Sequence, residues 1–153
     1  MRLSDILAVE RVNVGLHADD KRGALEALAA LFVRNDARLD AQAITRVFEE
    51  REALASTGVG SGVAIPHGRL PEVERLMAAV GVVKRGVDFD AIDGRPAHIL
   101  VAVLGPEKHT GDHLKALARF SRLLRDESVR ARILAAQTDA EAYGVILGED
   151  GSR

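Results

Sequence analysis

Apolar side chains recur at helical spacing over much of the first third of the chain. This spacing predicts helices over residues 1–11 and 21–34, and a further helix after Asp40, whose carboxylate suits a helix cap. The run 12–14 alternates as a short strand would. The apolar positions of the three helices are Leu3, Ile6 and Leu7, then Leu25, Leu28, Leu31 and Phe32, and finally Ile44, Val47, Phe48 and Leu54.

Two continuously apolar runs, at 77–83 and 99–104, stand out in the second half of the chain. Neither run alternates with polar residues, so we expect strands that are covered on both faces. A short strand is also predicted over 63–65, before Pro66. Together with the helices, these strands predict one α/β domain around a mostly buried sheet.

Two more helices are predicted towards the end of the chain. The first spans 111–125, and its apolar stripe consists of His113, Leu117, Phe120 and Leu124. The second follows Thr138 and Glu141, which fit a capping box. The domain is expected to cover 1–147 and to leave a flexible tail at 148–153.

Composition narrows the class of protein. With 47% hydrophobic and 29% charged residues in 153 positions, the chain has the balance of a globular protein. No apolar run approaches the length of a membrane span, which takes about 20 residues. The first residues lack the pattern of a signal peptide, and there is no cysteine for disulfides, thiolate metal sites or a cysteine nucleophile. We therefore expect a cytoplasmic protein without membrane insertion.

The charge balance argues against a nucleic-acid partner. Twenty-one Lys and Arg stand against twenty-three Asp and Glu, for a net charge of −2, whereas nucleic-acid binders usually cluster an excess of basic residues. One Tyr, four Phe and no Trp also leave few side chains for stacking on bases.

The segment 56–70, STGVGSGVAIPHGRL, contains four of the fourteen glycines and therefore predicts turns and close backbone approach rather than helix. It is not a dinucleotide loop, because Val63 takes the place of the third glycine, and no Gly-Lys-Ser or Gly-Lys-Thr follows for a P-loop. Ser61 lacks the Gly-x-Ser-x-Gly context of an activated serine. Backbone amides of this segment are nevertheless suited to binding phosphoryl oxygens.

Histidine is the residue type best suited to chemistry here, because imidazole titrates near neutral pH and is a nitrogen nucleophile. His67 follows Ile65 and Pro66 at the end of a predicted strand, where a side chain is held firmly yet stays reachable. It is either a functional residue or a turn histidine hydrogen-bonded to the backbone. His17 and His98 are expected to be surface or boundary residues.

His113 lies on the apolar stripe of its helix. It is therefore either a satisfied core histidine or, if the fold brings it to His67, part of a site. His109 and His113 are four residues apart, a spacing that can bind a metal. However, the helix is expected to start near Gly111, between them, and no acidic partner completes a motif, so a metal site is disfavoured.

The run from Glu52 to Gly68, which ends in VAIPHG at 63–68, resembles the active-site signature of the fructose/mannitol-type enzyme IIA domains of the bacterial phosphoenolpyruvate-dependent phosphotransferase system. Three further stretches are similar to the nitrogen-regulatory branch of that family: STGVGSG at 56–62, FDAIDG at 89–94 and LSDIL at 3–7. The similarity covers nearly the whole chain. It implies a IIA domain over 1–147, an α/β sandwich with a mixed, largely parallel central sheet and helices on both faces.

The resemblance also implies a phosphocarrier. By motif position His67 would be the phosphorylated nucleophile, His113 a second active-site histidine that stabilises the phosphoryl group, and Arg51 a phosphoryl-binding residue. The donor would be a small histidine phosphocarrier protein, HPr-like or its nitrogen-branch counterpart (NPr-like), and no metal or other cofactor is required. Phosphorylation would then change which regulatory proteins bind.

Three other interpretations stay open at this point. A sugar-specific fructose/mannitol enzyme IIA would use the same chemistry at His67 but pass the phosphoryl group to a IIB cysteine. A binding module would keep the same fold without ever being phosphorylated. A metal-dependent hydrolase using His109 and His113 would carry bound metal.

Overall fold

The computed structural model describes residues 1–34, 36–108 and 110–152. The chain begins with two 3₁₀ turns, Leu3–Asp5 and Val9–Arg11. The regular elements follow in the order β1 Val12–Asn13, α1 Lys21–Val33, α2 Ala41–Leu54, β2 Gly58–Gly60, β3 Val63–Ala64, β4 His67–Arg69, β5 Met77–Val87, β6 Ala97–Gly105, α3 Thr110–Leu124, α4 Glu127–Ala135 and α5 Asp139–Gly151. Within the described residues, no helix combines the length and the apolar character that crossing a membrane requires.

The sheet is mixed. Its strand order is β1-β5-β6-β3-β2, and β4 pairs with β6 beyond β3. The long pair β5 and β6 is antiparallel, from Met77 opposite Leu104 to Val87 opposite Ala97. The pairs β1–β5, β3–β6 and β4–β6 are parallel, and β2 returns antiparallel to β3. Three of the five pairings in the described chain are thus parallel, and the predicted α/β class is confirmed.

Helices cover both faces of β5 and β6. Helices α1 and α2 pack on one face, while the first 3₁₀ turn and α3, α4 and α5 pack on the other. Successive residues of a strand point to opposite faces, so Val80 and Val101 lie in one hydrophobic cluster and Ala79 and Leu100 in the other. Two covered faces explain why both strands contain continuous apolar runs.

Residues 1–11 do not form the predicted helix. The Ile6 carbonyl accepts hydrogen bonds from the backbone amide of Ala78 at 2.8 Å and from Nη2 of Arg11 at 2.9 Å. A carbonyl tied to β5 in this way is not available to a helical ladder, and the segment divides into two 3₁₀ turns. The apolar spacing is correct, but long-range hydrogen bonds decide the backbone conformation.

The last helix extends further than predicted. Helix α5 continues to Gly151, so most of the segment 148–153, predicted as a flexible tail, is helical; the final residue lies outside the described chain. The buried carboxylate of Asp150 accepts a hydrogen bond from the backbone amide of Leu3 at 2.8 Å and pairs with Arg119. These contacts hold the helix end against the beginning of the chain and oppose fraying.

The sequence pattern does not predict α4, in which only Val129 and Ile133 are buried. The cap of the next helix is predicted correctly at Thr138, whose Oγ1 accepts from the Glu141 amide at 3.1 Å. The reciprocal half of the capping box differs: the Glu141 carboxylate accepts from the amide of Gln137, at 3.1 Å.

Candidate functional site

His67 lies on a short strand of its own rather than in a turn. Strand β4 pairs in parallel with β6, and His67 stands opposite Val103. The amide of Val103 donates to the carbonyl of Pro66 at 3.0 Å, which anchors the start of the strand. Because β4 is only three residues long and its residues are half-buried, the His67 ring is held by the sheet yet reachable from solvent.

Both nitrogens of the His67 ring have partners. Nδ1 donates to the carbonyl of Ile65 at 3.0 Å, and Nε2 accepts from Nε of Arg51 at 3.2 Å. These contacts assign the ring proton to Nδ1 and the lone pair to Nε2. Burial lowers the pKa of His67 and the charges of Arg51 and Arg69 lower it further, although the Ile65 hydrogen bond and the charge of Glu52 act in the opposite direction. The ring is therefore neutral at neutral pH, as a nitrogen nucleophile must be.

Close packing between β4 and α2 brings Arg51 to His67. A Cβ atom on Gly68 would lie 2.8 Å from Cγ2 of Val47, so only glycine permits this approach. Arg51 follows Val47 by about one helical turn on α2, and its Nη1 also donates to the carbonyl of Ala55 at 2.9 Å. The guanidinium group is thus held by two contacts beside Nε2.

His113 forms the buried wall of the site. It is 3% exposed, and its ring centroid lies 5.5 Å from that of His67, with the ring planes at 61°. A Cβ atom on Gly105 would lie 3.1 Å from Nδ1 of His113, so this glycine at the end of β6 makes room for the ring. Nδ1 of His113 is the single buried side-chain polar atom without a hydrogen-bond partner in the described part of the chain. Burying such an atom is costly in a folded protein.

The protonation state of His113 follows from its surroundings. Burial lowers the pKa of His113 to about 4, with further lowering from the charge that His67 carries when protonated and from the charge of Arg69. The ring is therefore neutral at neutral pH and carries one proton, which makes it a hydrogen-bond donor without net charge. The fold brings the two histidines together, which is the condition under which His113 belongs to the site.

Arg69 contributes to the site, although no sequence pattern singled it out. It lies two residues after His67 on β4, so both side chains emerge from the same face of the strand. Its charge lowers the pKa of both His67 and His113. The alternation of side chains along a strand would have placed Arg69 on the same face as His67. However, the three residues of β4 are too few for the sequence to predict a strand there. Together with Arg51, it makes the surroundings of the histidines electropositive, which suits an anionic group.

The glycine-rich turn between β2 and β3 lies away from this site. Strands β3 and β4 both pair with β6. The pairing with β3 lies four residues earlier along β6 than the pairing with β4, so the two strands are about 13 Å apart along it. Gly60, Ser61 and Gly62 have positive φ angles of 93°, 57° and 78°. The Ser61 amide donates to the carboxylate of Asp93 at 2.9 Å. The amide at the centre of the turn, suited in principle to a phosphoryl oxygen, is therefore already used within the protein.

Among the residues that the structure describes, the remaining histidines give no second site. In the part of the chain that the structure describes, no three His, Cys, Asp or Glu side chains come together as metal ligands. His109, considered with His113 as a metal pair, lies outside the described residues. His17 is exposed, and His98 is half-buried with Nδ1 3.2 Å from the carbonyl of Val83, as expected for surface and boundary positions.

The comparison with protein families identifies the chain. The sequence model of the family described as "Phosphoenolpyruvate-dependent sugar phosphotransferase system, EIIA 2" matches residues 5–148. The chain belongs to this family. Membership confirms the resemblance found in the sequence and makes the chain a component of the phosphotransferase system.

The proteins to which this chain is similar include nitrogen regulatory proteins and a fructose-specific EIIA component. The nitrogen regulatory protein of Bradyrhizobium diazoefficiens is 41% identical over 150 residues, which are 96% of this chain and 95% of that protein. The fructose-specific EIIA component of Haloferax volcanii is 35% identical over 144 residues, 94% of each chain. The crystal structure of the nitrogen regulatory protein IIA-Ntr from Neisseria meningitidis matches with a TM-score of 0.87 at 28% identity, covering 94% of this chain and 98% of that one.

Proposed function

We propose that this EIIA 2 domain is a cytoplasmic phosphocarrier of the nitrogen phosphotransferase system. It accepts a phosphoryl group on Nε2 of His67 from the phosphohistidine of an HPr-like or NPr-like protein, and its phosphorylation state determines which regulatory proteins bind. The observation that carries the proposal is the hydrogen bond from Nδ1 of His67 to the carbonyl of Ile65. Because the proton stays on Nδ1, the lone pair is on Nε2, and it becomes free for attack when the Arg51 N–H that it accepts from turns to a phosphoryl oxygen.

The transfer itself exchanges one phosphorus–nitrogen bond for another. The Nε2 lone pair of His67 attacks phosphorus in line with the donor nitrogen, and the bond between phosphorus and that nitrogen breaks. Its electron pair stays on the donor imidazole, which leaves as a neutral ring when its other nitrogen is protonated. His67 then carries the phosphoryl group on Nε2 and the proton on Nδ1, and the Ile65 carbonyl stabilises the resulting positive charge on the ring.

Three side chains are placed to stabilise the phosphoryl oxygens. Arg51 donates to Nε2 before the reaction, so its guanidinium is already at the position where the oxygens arrive. His113 offers a neutral donor, and a phosphoryl oxygen would satisfy its Nδ1 atom, which has no partner among the described residues. Arg69 adds a second positive charge on the same strand as His67. This chemistry needs no metal ion, because phosphoryl passes between nitrogens without a nucleotide.

The surroundings of the site suit a transient protein complex. Leu54, about one turn after Arg51, and Leu114, next to His113, are exposed by 82% and 63%. Exposed apolar side chains beside charged groups are typical of weak protein interfaces. Phosphorylation adds nearly two negative charges at an electropositive position, and this change is large enough to alter the choice of a regulatory partner.

A sugar-specific enzyme IIA is a second candidate, favoured by the 35% identity to a fructose-specific EIIA component. It would use the same His67 chemistry. The two candidates differ in the acceptor: a sugar-specific protein would pass its phosphoryl group to the cysteine of a IIB protein, which can be tested by mixing the phosphorylated protein with a fructose IIB.

The deciding experiment is intact-mass analysis at neutral to alkaline pH after incubation with phosphoenolpyruvate, enzyme I and the phosphocarrier. We expect one acid-labile phosphoryl adduct, absent in His67→Ala and retained in His98→Ala. His98 is the matched control, because it is also half-buried on the sheet but lies outside the site. An adduct that persists in His67→Ala contradicts the assignment of the site. No adduct in the wild type, with a control acceptor that works, supports a binding module instead.

A further inference from the structure

Behind the site lies a buried carboxylate that the phosphoryl-transfer chemistry does not use. Glu52 follows Arg51 on α2, and its side chain is 5% exposed. Its oxygens accept from the backbone amide of Thr57 at 3.2 Å and from the Thr57 hydroxyl. The ammonium of Lys21, on α1, lies 3.0 Å from Oε2 of Glu52. Groups from α1, α2 and the loop after α2 thus meet at one carboxylate.

The loop residues held by Glu52 support both reacting groups. Ala55 provides the carbonyl that accepts from Nη1 of Arg51. The carbonyl of Thr57 accepts from the amide of Ile65 at 2.9 Å, and the Ile65 carbonyl in turn accepts from Nδ1 of His67. The position of the segment 55–57 therefore affects the orientation of the guanidinium as well as that of the nucleophilic ring.

A buried negative charge at this place opposes the proposed reaction. Glu52 is close enough to His67 for its charge to raise the pKa of the ring, and the same charge repels an incoming phosphoryl group. Lys21 counters this repulsion. Burial acts to lower the pKa of Lys21, but hydrogen bonds and charge from Glu52 and Asp90 raise it overall, so Lys21 is positively charged.

We propose that Lys21 and Glu52 are positioning residues of the phosphoryl-accepting site. Glu52 fixes the segment 55–57 and through it Arg51 and His67, and Lys21 neutralises the carboxylate so that this support does not repel the phosphoryl group. The inference rests on the proposed function. It requires that the effect of removing Lys21 depends on the charge of Glu52.

The test is a double-mutant cycle with Lys21→Met, Glu52→Gln and the double variant, measuring the initial rate of phosphorylation against donor concentration. Lys21→Met is expected to lower the maximal rate about tenfold with little change in the half-saturating donor concentration, because the unpaired charge of Glu52 then repels the phosphoryl group most strongly during the chemical step. The double variant should recover to within about threefold of wild type, since the neutral amide that replaces the carboxylate needs no counter-charge. Arg22→Met is the matched control: Arg22 is the next residue on α1 and also pairs with a glutamate of α2, Glu49.

A second readout needs no donor. Nitrogen chemical shifts of the His67 ring give its pKa in the unphosphorylated protein, where Arg51, Arg69 and His113 also face the ring. Glu52→Gln should lower this pKa, because Glu52 raises it in the wild type, while Arg22→Met should leave it unchanged.

The outcomes separate the two proposals. A double variant as slow as Lys21→Met, an unaffected Lys21→Met, or an unchanged His67 pKa in Glu52→Gln would overturn the positioning role while phosphorylation of the wild type still stands. If the wild type accepts no phosphoryl group, the proposed function fails, and the His67 pKa measurement alone decides whether Glu52 acts on the ring.

Discussion

Strands β3 and β4 line the same edge of β6, and the two ends of this edge differ in whether their polar groups have hydrogen-bond partners. At the turn between β2 and β3, the Ser61 amide is bonded to the Asp93 carboxylate, so the turn is complete without a ligand. Near β4, the buried Nδ1 of His113 has no partner in the described part of the chain, and two arginines lie close to His67. The glycine-rich segment 56–70 includes both ends, so glycine density does not separate them. The unsatisfied polar atom and the positive charge of the arginines distinguish the end at β4.

The largest effect that tests this contrast is expected at Arg51. Arg51→Met removes the donor beside Nε2 of His67, and we expect phosphoryl transfer to slow by about 100-fold, as for the loss of one donor that stabilises developing charge. Thermal unfolding should change little, because the side chain makes one other hydrogen bond, to Ala55. Rapid-quench mass analysis measures the rate. A variant that transfers as fast as wild type would remove Arg51 from the site.

His113→Leu should separate function from stability. Phosphoryl transfer is expected to slow by about tenfold, because a hydrogen-bond donor to the phosphoryl oxygens is lost. The free energy of unfolding, in contrast, should rise by about 1 kcal/mol, because a buried unsatisfied atom disappears. Denaturant titration at neutral pH measures the second effect. Lower stability in this variant would mean that His113 has a structural role in the core.

The same variant has a pH signature. The pKa of His113 is about 4 in the folded protein and about 6.5 in an unfolded chain. Between these values the unfolded state binds more protons, so the stability of the wild type falls as pH decreases through this range. His67, whose pKa is also lowered, adds to the slope. Unfolding measured at several pH values should therefore show a shallower slope in His113→Leu, and an equal slope would contradict the lowered pKa.

The smallest effect is expected at the other end of the edge. Asp93→Asn should leave the rate of phosphoryl transfer unchanged, because the turn lies away from His67. Hydrogen bonds from the amides of Ser61 and Arg95 lower the pKa of Asp93. The contribution of the Asp93 carboxylate to stability is therefore fully present above the pKa of Asp in the unfolded chain, near 4. It is lost as the pH falls through the lower pKa that Asp93 has in the folded protein. Asp93→Asn should lose this pH-dependent contribution to stability, which unfolding at several pH values measures. Slower phosphoryl transfer in the variant would contradict the expectation and include the turn in the site.

The sequence predicted the main layers of the fold from particular patterns. The runs at 77–83 and 99–104 became β5 and β6. Helical spacing located α1 with both bounds correct to one residue, and it located α2 with the correct cap at Asp40. These signals are strong because each comes from many side chains that share one buried face. Short elements gave too little periodicity: β4 and α4 were missed, and residues 1–11 were predicted as one helix.

For the candidate site, the sequence and the structure contributed different parts. The signature run predicted His67 as the nucleophile, and Arg51 and His113 were implied by resemblance. In the structure the side chains of Arg51 and His113 both contact the His67 ring. Arg69 was not found, since it belongs to no motif, and Glu52 was included only as the first residue of the signature run, without a role. The importance of both depends on neighbours brought from other segments.

The sequence by itself determined the family, the α/β class and the histidine at the centre of the site, because these depend on residue identity and on periodicity within single segments. Only the tertiary structure decided which nitrogen of His67 holds the proton, that the His113 ring lies against His67 with its Nδ1 unpartnered by any described residue, and that Lys21 reaches Glu52 from another helix. Each of these depends on distances of a few ångströms between groups far apart in the chain. Hydrogen bonds and charge interactions vary steeply over such distances, and local sequence patterns do not encode them.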